Sequence, residues 1–206
     1  MNRIEKLSEL FSKFPGIGPR QAKRFVYFLL TRDASFIKEF LTLVGDVKDA
    51  VATCSSCFRF FQVEAGNSAL CSICRNKNRN RSELMIVSHD IDFENVEKSN
   101  AYEGLYFILG GTVPILEKDP SKRIRDRELL KTIEERSKKN SLKEVVLALS
   151  ANPEGENTAD YLQKLIAPFA KKYTFQISLL GRGLSTGTEL EYSDAETIKN
   201  ALANRK

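Results

Sequence analysis

Nowhere in its 206 residues does this sequence hold an apolar run near the ~20 that a membrane-spanning helix requires; Phe25 to Leu30 is the sort of length available. That argues against a membrane anchor. The first residues, Met1 to Lys6, pass straight into an amphipathic pattern without the apolar core or cleavage site of a secretory signal, so we expect a cytoplasmic protein. Internal repeats and low-complexity tracts are missing too, as is any GxxxxGK[ST] sequence, the loop with which NTPases cradle phosphates. Nucleotide hydrolysis is therefore not expected. The single histidine, His89, follows a strand-like run without a Ser or Cys arranged to partner it, and we read it as a loop residue.

The 42% apolar fraction is enough for a real core and argues against a wholly disordered chain. The length suits one domain of ordinary size with small modules attached. Lys and Arg number 32 against 27 Asp and Glu, a net +5 that is unevenly spread. Residues 1–81 hold 14 basic and 7 acidic side chains, net +7, and the remainder 18 and 20, net −2. A solvated face could show such a bias, but its concentration at one end suggests a surface for a polyanion.

All four cysteines fall in one short window: Cys54-x2-Cys57, thirteen residues, then Cys71-x2-Cys74. In a cytosolic chain two such pairs read as a zinc site rather than a disulfide framework. Each x2 spacing lets one tight turn present two sulfurs to the same tetrahedral ion, so we expect one structural Zn²⁺. The ion would staple a stretch too short to build its own core. Reduced structural cysteines or redox pairs are the competing reading.

Along the chain, residues 1–53 read as helices. Ile4, Leu7, Leu10 and Phe11 keep helical spacing up to Phe14-Pro-Gly-Ile-Gly-Pro19. A second helix over about 20–30 carries Ala22, Phe25, Val26 and Leu29 on its apolar side. A third, capped by Asp33 or Ser35, turns Phe36, Ile37, Phe40, Leu41 and Val44 inward. From Glu83 the texture becomes strand-like runs at Leu84–Val87, Leu105–Leu109, Val145–Leu149 and Phe175–Leu180. Helical stretches lie between them at about 92–101, 126–139 and 157–172. This alternation predicts an α/β layer with a largely parallel sheet. A last helix begins at the capping box Ser193-x-x-Glu196.

The segment Phe14 to Pro19 has the form of a helix-hairpin-helix. Its glycines permit a tight turn, and the next helix points free amides outward, where a phosphate can accept from them. Arg20, Lys23 and Arg24 stand beside those amides, and residues 1–32 hold seven basic and two acidic side chains. With no base-reading constellation in view, Gly16, Gly18, Arg20, Lys23 and Arg24 are expected to contact nucleic-acid backbone irrespective of sequence. Such hairpins also serve purely as packing modules. Arg75, Lys77, Arg79 and Arg81 alternate with Asn, and read either as a second phosphate contact or as a solvated basic linker.

Taken together, these pieces resemble the RecR family of bacterial recombination mediators. The resemblance lies in Phe14 to Arg24, the four cysteines and Gly104-Leu-Tyr-Phe-Ile-Leu-Gly-Gly111, and continues through Glu154-Gly-Glu-Asn-Thr158 and Gly181 to Tyr192. It implies a multi-module α/β architecture. Residues 1–53 would be a helix-hairpin-helix DNA-binding region and 54–81 a four-cysteine zinc finger. A Toprim-type domain would occupy 82–175, and a Walker-B-like segment with a tail helix 176–206. It further implies a nucleoid-associated, ring-forming homo-oligomer, expected as a tetramer, that clamps gapped, single- or double-stranded DNA. Its partners would be RecO and RecF, and its task the loading of recombinase.

Catalytic Toprim domains need a Glu after the first strand and an Asp-x-Asp after a later one to hold Mg²⁺. Here those positions carry Ser88, Ser150 and Asn152, whose neutral groups bind Mg²⁺ too weakly, so no catalysis is expected. A site shifted to Asp90 and Asp92 is the alternative, and with it a Mg²⁺-dependent nuclease or topoisomerase-like enzyme. None of the six tyrosines sits in a recognisable nucleophile context. The resemblance assigns Glu154 and Glu156 to a partner-binding surface, although acids there also suit a helix N-terminus. Two departures from the family pattern are Phe107, where a His is usual, and Glu117-Lys-Asp-Pro120, where Gly-Ile-Gly-Pro is common.

Overall fold

A computed structural model describes residues 2–63, 69–139, 142–181, 184, 191, 193 and 195–203. They fall into two compact units, Met1–Ala52 and Thr53–Lys206. In the first unit, α1 (Arg3–Phe11) starts at Asn2, whose side chain accepts from the Glu5 amide at 2.9 Å while the Glu5 carboxylate accepts from the Asn2 amide. This reciprocal pair satisfies two amides that the helix cannot. The chain turns through Gly16, at φ +74°, a backbone that side chains disfavour, and enters α2 (Pro19–Leu30) with a proline at its first position. Ala22 and Val26, one turn apart, are buried, and the Phe11 ring meets Phe25 edge-on at 5.6 Å.

The third helix, α3 (Ala34–Ala50), begins where the Asp33 carboxylate accepts from the Phe36 amide at 2.8 Å. Its apolar stripe does not turn inward as expected. None of its residues is buried, and Leu41 and Val44 are 63% and 56% exposed. Helical spacing identifies which face is apolar but not what covers it, and α1 and α2 already pack on each other.

At the boundary of the units the chain forms a two-stranded ribbon, β1 (Val51–Thr53) and β2 (Phe60–Gln62), followed by a one-turn helix, α4 (Ser72–Arg75). Then come β3 (Asn80–Val87), α5 (Asp90–Lys98), β4 (Gly104–Ile108), α6 (Asp126–Lys138), β5 (Glu144–Leu147), α7 (Pro153–Tyr173), β6 (Gln176–Leu179) and α8 (Ala195–Ala203). The four longer strands form one sheet in the order β4-β3-β5-β6, parallel throughout. Both faces are covered, which is why its strands read as unbroken apolar runs.

Alternate residues serve alternate faces. Leu84, Ile86, Leu105, Phe107, Val145 and Leu147 join Leu129 and Ile133 of α6 and Leu162 and Ile166 of α7. Met85, Val87, Tyr106 and Ile108 join Phe93 of α5 and the four cysteines. Phe107, the departure at the usual histidine, is a core residue whose ring lies 5.2 Å from that of Phe58.

α5 starts two residues earlier than expected, at Asp90, and two other elements start four residues early. β3 extends back to Asn80, because its polar end is held by bonds from the Asn80 amide to Glu103 O and from Lys143 N to Ser82 O rather than by burial. α7 begins at Pro153, four residues before the sequence pattern, with Asn152 as its cap accepting from the Gly155 amide at 2.8 Å. A β-carbon at Gly155 would lie 2.0 Å from Ser150 O, so the preceding loop closes as tightly as it does only over a glycine. The capping box at the last helix cannot be traced, since the side chain of Glu196 lies outside the described residues.

The long loop after β4 is pinned to α7 by one hydroxyl. Thr158, fully buried, accepts from the Val113 amide at 2.8 Å and donates to Glu154 O at 2.6 Å. Thr158→Val keeps the shape but strands the Val113 amide, and is expected to cost about 1–3 kcal/mol. Thermal unfolding followed by circular dichroism would show a midpoint several degrees lower; an unchanged midpoint would mean that this amide has another acceptor.

Candidate metal centre and nucleic-acid interface

The ribbon and α4 bring the two cysteine pairs together. Cys54 and Cys57 sit on the turn between β1 and β2, where Cys54 N donates to Arg59 O and Phe58 N to Cys54 O. Phe58 takes up the tight turn with φ +63°, an unfavourable backbone for a bulky residue, held by the Phe107 ring and by the Arg125 guanidinium 5.7 Å from its own ring. Cys71 caps α4 and Cys74 lies within it, and the Cys71 amide points at Cys54 Sγ at 3.4 Å.

All four thiols are buried, with every sulfur within 4.8 Å of the others. Cys57 Sγ and Cys71 Sγ are 3.7 Å apart, against the ~3.8 Å edge of a tetrahedron with metal–sulfur bonds of ~2.3 Å. Crowding divides their acidities: hydrogen bonding with Cys57 drives the Cys54 thiol far down, and the same interaction drives Cys57 far up. A bound cation would end that competition by taking all four as thiolates. Among the described residues, this is the one group of three or more His, Cys, Asp or Glu side chains whose ligand atoms converge, and it can hold a metal ion.

The cysteine module is mounted on the edge of the sheet. Cys57 O accepts from the amide of Ile108, on the free side of β4, at 2.9 Å. The Phe60 amide donates to Asp90 Oδ1 at 2.7 Å, and the Arg59 guanidinium lies 4.4 Å from the Phe93 ring centre. The basic residues after Cys74 have separate tasks. Arg79 is inside, paired in two bonds with Glu97 at 2.9 and 3.0 Å and donating to Gly104 O, while Tyr106 donates to the same carboxylate. Burial first, and then Glu97, raises the Tyr106 pKa. Arg81 reaches Cys74 O, and Arg75 and Lys77 are exposed.

At the carboxyl end of the sheet, the three positions where the resemblance would put metal carboxylates lie apart in their surroundings. Ser88 is buried at the end of β3, its hydroxyl without a hydrogen-bond partner among the described residues; Ser150 is exposed; Asn152 caps α7. Asp90 holds the ribbon, and Asp92 accepts from the His89 amide at 2.9 Å, so both acids organise the start of α5. His89 itself is exposed. Glu154 and Glu156 stand exposed in the first turn of α7, rather than before it as the sequence suggested. Thr112 donates to Glu154 at 3.1 Å. Glu117, in the second departure from the family pattern, pairs with Arg123 at 2.6 Å. The segment Gly181 to Tyr192 lies almost wholly outside the described residues.

In the first unit, Gly16, Gly18, Arg20, Lys23 and Arg24 are all exposed at the hairpin and the first turns of α2. Gly18 caps this helix without a side chain, and no acid occupies its first turn. By contrast the first turns of α5, α6 and α7 each carry two acids. The positive end of α2 is thus left open and lined with cations. Sequence reasoning did not find Phe58, Arg125 or Thr158. Their roles depend on elements far apart in the chain, and no local pattern marks them.

A helical hairpin, a four-cysteine module and a parallel four-stranded α/β sheet thus follow one another along the chain. The Toprim domain family matches residues 82–180, the RecR helix-hairpin-helix family residues 4–42, and the RecR C-terminal family residues 183–206. Over 203 residues the chain is 33% identical to a protein of Ureaplasma urealyticum named recombination protein RecR, covering 98% of this chain and 95% of the relative. Proteins of the same name from Prochlorococcus marinus and Staphylococcus haemolyticus are 34% and 35% identical, with 98% of this chain and 94% and 96% of theirs covered. The chain belongs to the RecR family of recombination proteins.

Because Cys57 stands in the sulfur cluster and also closes the β4 edge, removal of any metal bound there should be felt in the sheet. Cys57→Ser/Cys74→Ser is expected to abolish stoichiometric metal in elemental analysis and to accelerate hydrogen exchange at the Ile108 amide. Unchanged protection there would show that the ribbon holds without its ion.

Proposed function

We propose that this chain is a non-catalytic DNA clamp of recombinational repair, which joins RecO and RecF in loading recombinase at gapped DNA. The observation that carries the reading is the open, cation-lined N-terminus of α2 in a member of a recombination family. Phosphates accept from the free amides beyond Gly16 and Gly18, and Arg20, Lys23 and Arg24 supply charge around them. No group here reads base edges, so binding is indifferent to sequence.

The four cysteines hold one structural Zn²⁺, whose preference for closed tetrahedral thiolate sites suits the donor set. The chain assembles with itself into a ring, a tetramer in this reading. The bare apolar faces of the first unit support self-association, Leu41, Leu43, Val44 and Val47 of α3 being each more than half exposed. A ring joins several weak phosphate sites into one avid grip. Glu154 and Glu156, acidic and exposed, present the surface for a protein partner. The absence of carboxylates at Ser88, Ser150 and Asn152 supports the non-catalytic assignment.

One sample tests the central claim: labelled gapped duplex with protein and Mg²⁺, run on native and denaturing gels. The expected result is a shifted band with intact strands, and an affinity that falls with salt by roughly 0.7–0.9 log units per phosphate contact per log of salt. Strands cut, or linked to protein, in an EDTA-sensitive manner would overturn the non-catalytic reading. Arg20→Ala/Arg24→Ala should lose most of the binding while remaining folded, and retained affinity would remove the hairpin from the interface. Leu41→Glu/Val44→Glu should reduce the assembly to smaller species in light scattering. An unchanged mass would remove α3 from the self-contact.

A further inference from the structure

The first unit carries five exposed aromatic side chains, Phe14, Tyr27, Phe28, Phe36 and Phe40. Four of them meet a neighbour. Phe14 lies 5.8 Å from the Phe11 ring, Phe28 is edge-on to Phe36 at 6.0 Å with the Arg32 guanidinium 4.0 Å from its centre, and Phe36 stacks on Phe40 at 6.5 Å. Tyr27 is 55% exposed, and among the described residues its ring has neither an aromatic partner nor a cation on its faces. Its place on α2 is specific. With 3.6 residues per turn, Tyr27 projects between Lys23 and Arg24 and within ~20° of Arg20, on the side turned away from the buried Ala22 and Val26. One turn separates it from Lys23 and Arg24, and two from Arg20. Glu5 and Glu9 of α1 share a cleft with Arg20 and Lys23, and neither Arg24 nor Tyr27 lines it.

A bare ring flanked by three cations restricts what can cover it. A second copy of the same face would bring cations against cations, and an apolar protein surface would cover them without counter-charge. A duplex offers phosphates but keeps the faces of its bases inside the stack. An unpaired stretch of nucleic acid offers both at once, phosphates for the cations and a base face for the ring. We propose that Tyr27 is a stacking platform for an unpaired nucleobase, so that the α2 surface takes the single-stranded side of a gap in preference to continuous duplex. The inference deepens the proposed function and rests on its reading of Arg20, Lys23 and Arg24 as phosphate contacts. Every base has a π-face, so the added contact leaves binding indifferent to sequence. Tyrosine also suits the position physically, since its hydroxyl stays hydrated while the ring faces serve the ligand.

The probes are labelled oligothymidine, the gapped duplex and a continuous duplex, each bound by the full chain. Tyr27→Ala should weaken binding of oligothymidine and of the gapped duplex by roughly 5–100-fold, the range for one stacked base, while continuous duplex stays within about twofold of the parent. Tyr27→Phe should bind as the parent does and Tyr27→Leu as the alanine variant, because the contact follows the π-face rather than apolar bulk. A strand carrying 2-aminopurine reads the stack directly: its fluorescence should be lower when bound to the parent than when bound to Tyr27→Leu. If Tyr27→Ala does not fold, Tyr27→Leu, which keeps the bulk at an exposed position, carries the test. Equal losses on oligothymidine and continuous duplex, or no loss on either, would overturn the inference. A lower mass of Tyr27→Ala in light scattering would assign the ring to a self-contact and overturn it too. In each of these cases, Arg20→Ala/Arg24→Ala losing affinity for every probe would leave the phosphate reading standing. A parent chain that binds none of the three DNAs would overturn that reading and the inference with it.

Discussion

The rest of the second unit depends on one requirement: a four-stranded parallel sheet must be covered on both faces and closed at its edges. Three crossover helices are available. Two of them, α6 and α7, are spent on one face, which leaves α5 alone for the other. The cysteine cluster supplies the missing cover, packing beside Phe93 against Met85, Val87, Tyr106 and Ile108. The same module reaches round the outer strand, where Cys57 O accepts from the Ile108 amide, and just beyond it in the chain the Arg79 guanidinium donates to Gly104 O. What reads in sequence as an inserted module is a wall of the core.

That dual duty explains much of what was and was not legible in the residues. The cysteine spacing was legible because each CxxC turn presents two sulfurs to one side, and the two turns bring all four together. The apolar runs at Leu84 and Leu105 marked strands for the same kind of reason, burial on both sides. The boundaries were less clear wherever hydrogen bonds, rather than burial, hold the backbone. Asn80 to Glu83 extend β3 through polar contacts, and Asn152 starts α7 by capping it, so neither leaves an apolar trace. Long-range partners were invisible altogether. Nothing near Thr158 in sequence announces Val113.

The stripe on α3 shows the complementary limit. Its spacing is as regular as that of α2, yet Ala22 and Val26 are buried while Leu41 and Val44 are not. Periodicity reports an intention to be covered, and the covering surface can belong to another molecule. At the carboxyl end of the sheet the reverse holds. The fold is that of a Toprim domain, and three of the local acids have a structural task. Asp90 grips the ribbon, Asp92 begins a helix, and Glu154 meets Thr112.

The bond between Cys57 and Ile108 has a consequence for how the protein fails. With the ribbon in place, the Ile108 amide at the outer edge of β4 is taken. A chain whose ribbon came away would expose a short, apolar, uncharged strand, Leu105 to Ile108, at the edge of the sheet. Such an edge is a template for further strands. Holding that edge is a task of the cysteine module in its own right, and any ion bound there would guard solubility from a position that never touches solvent.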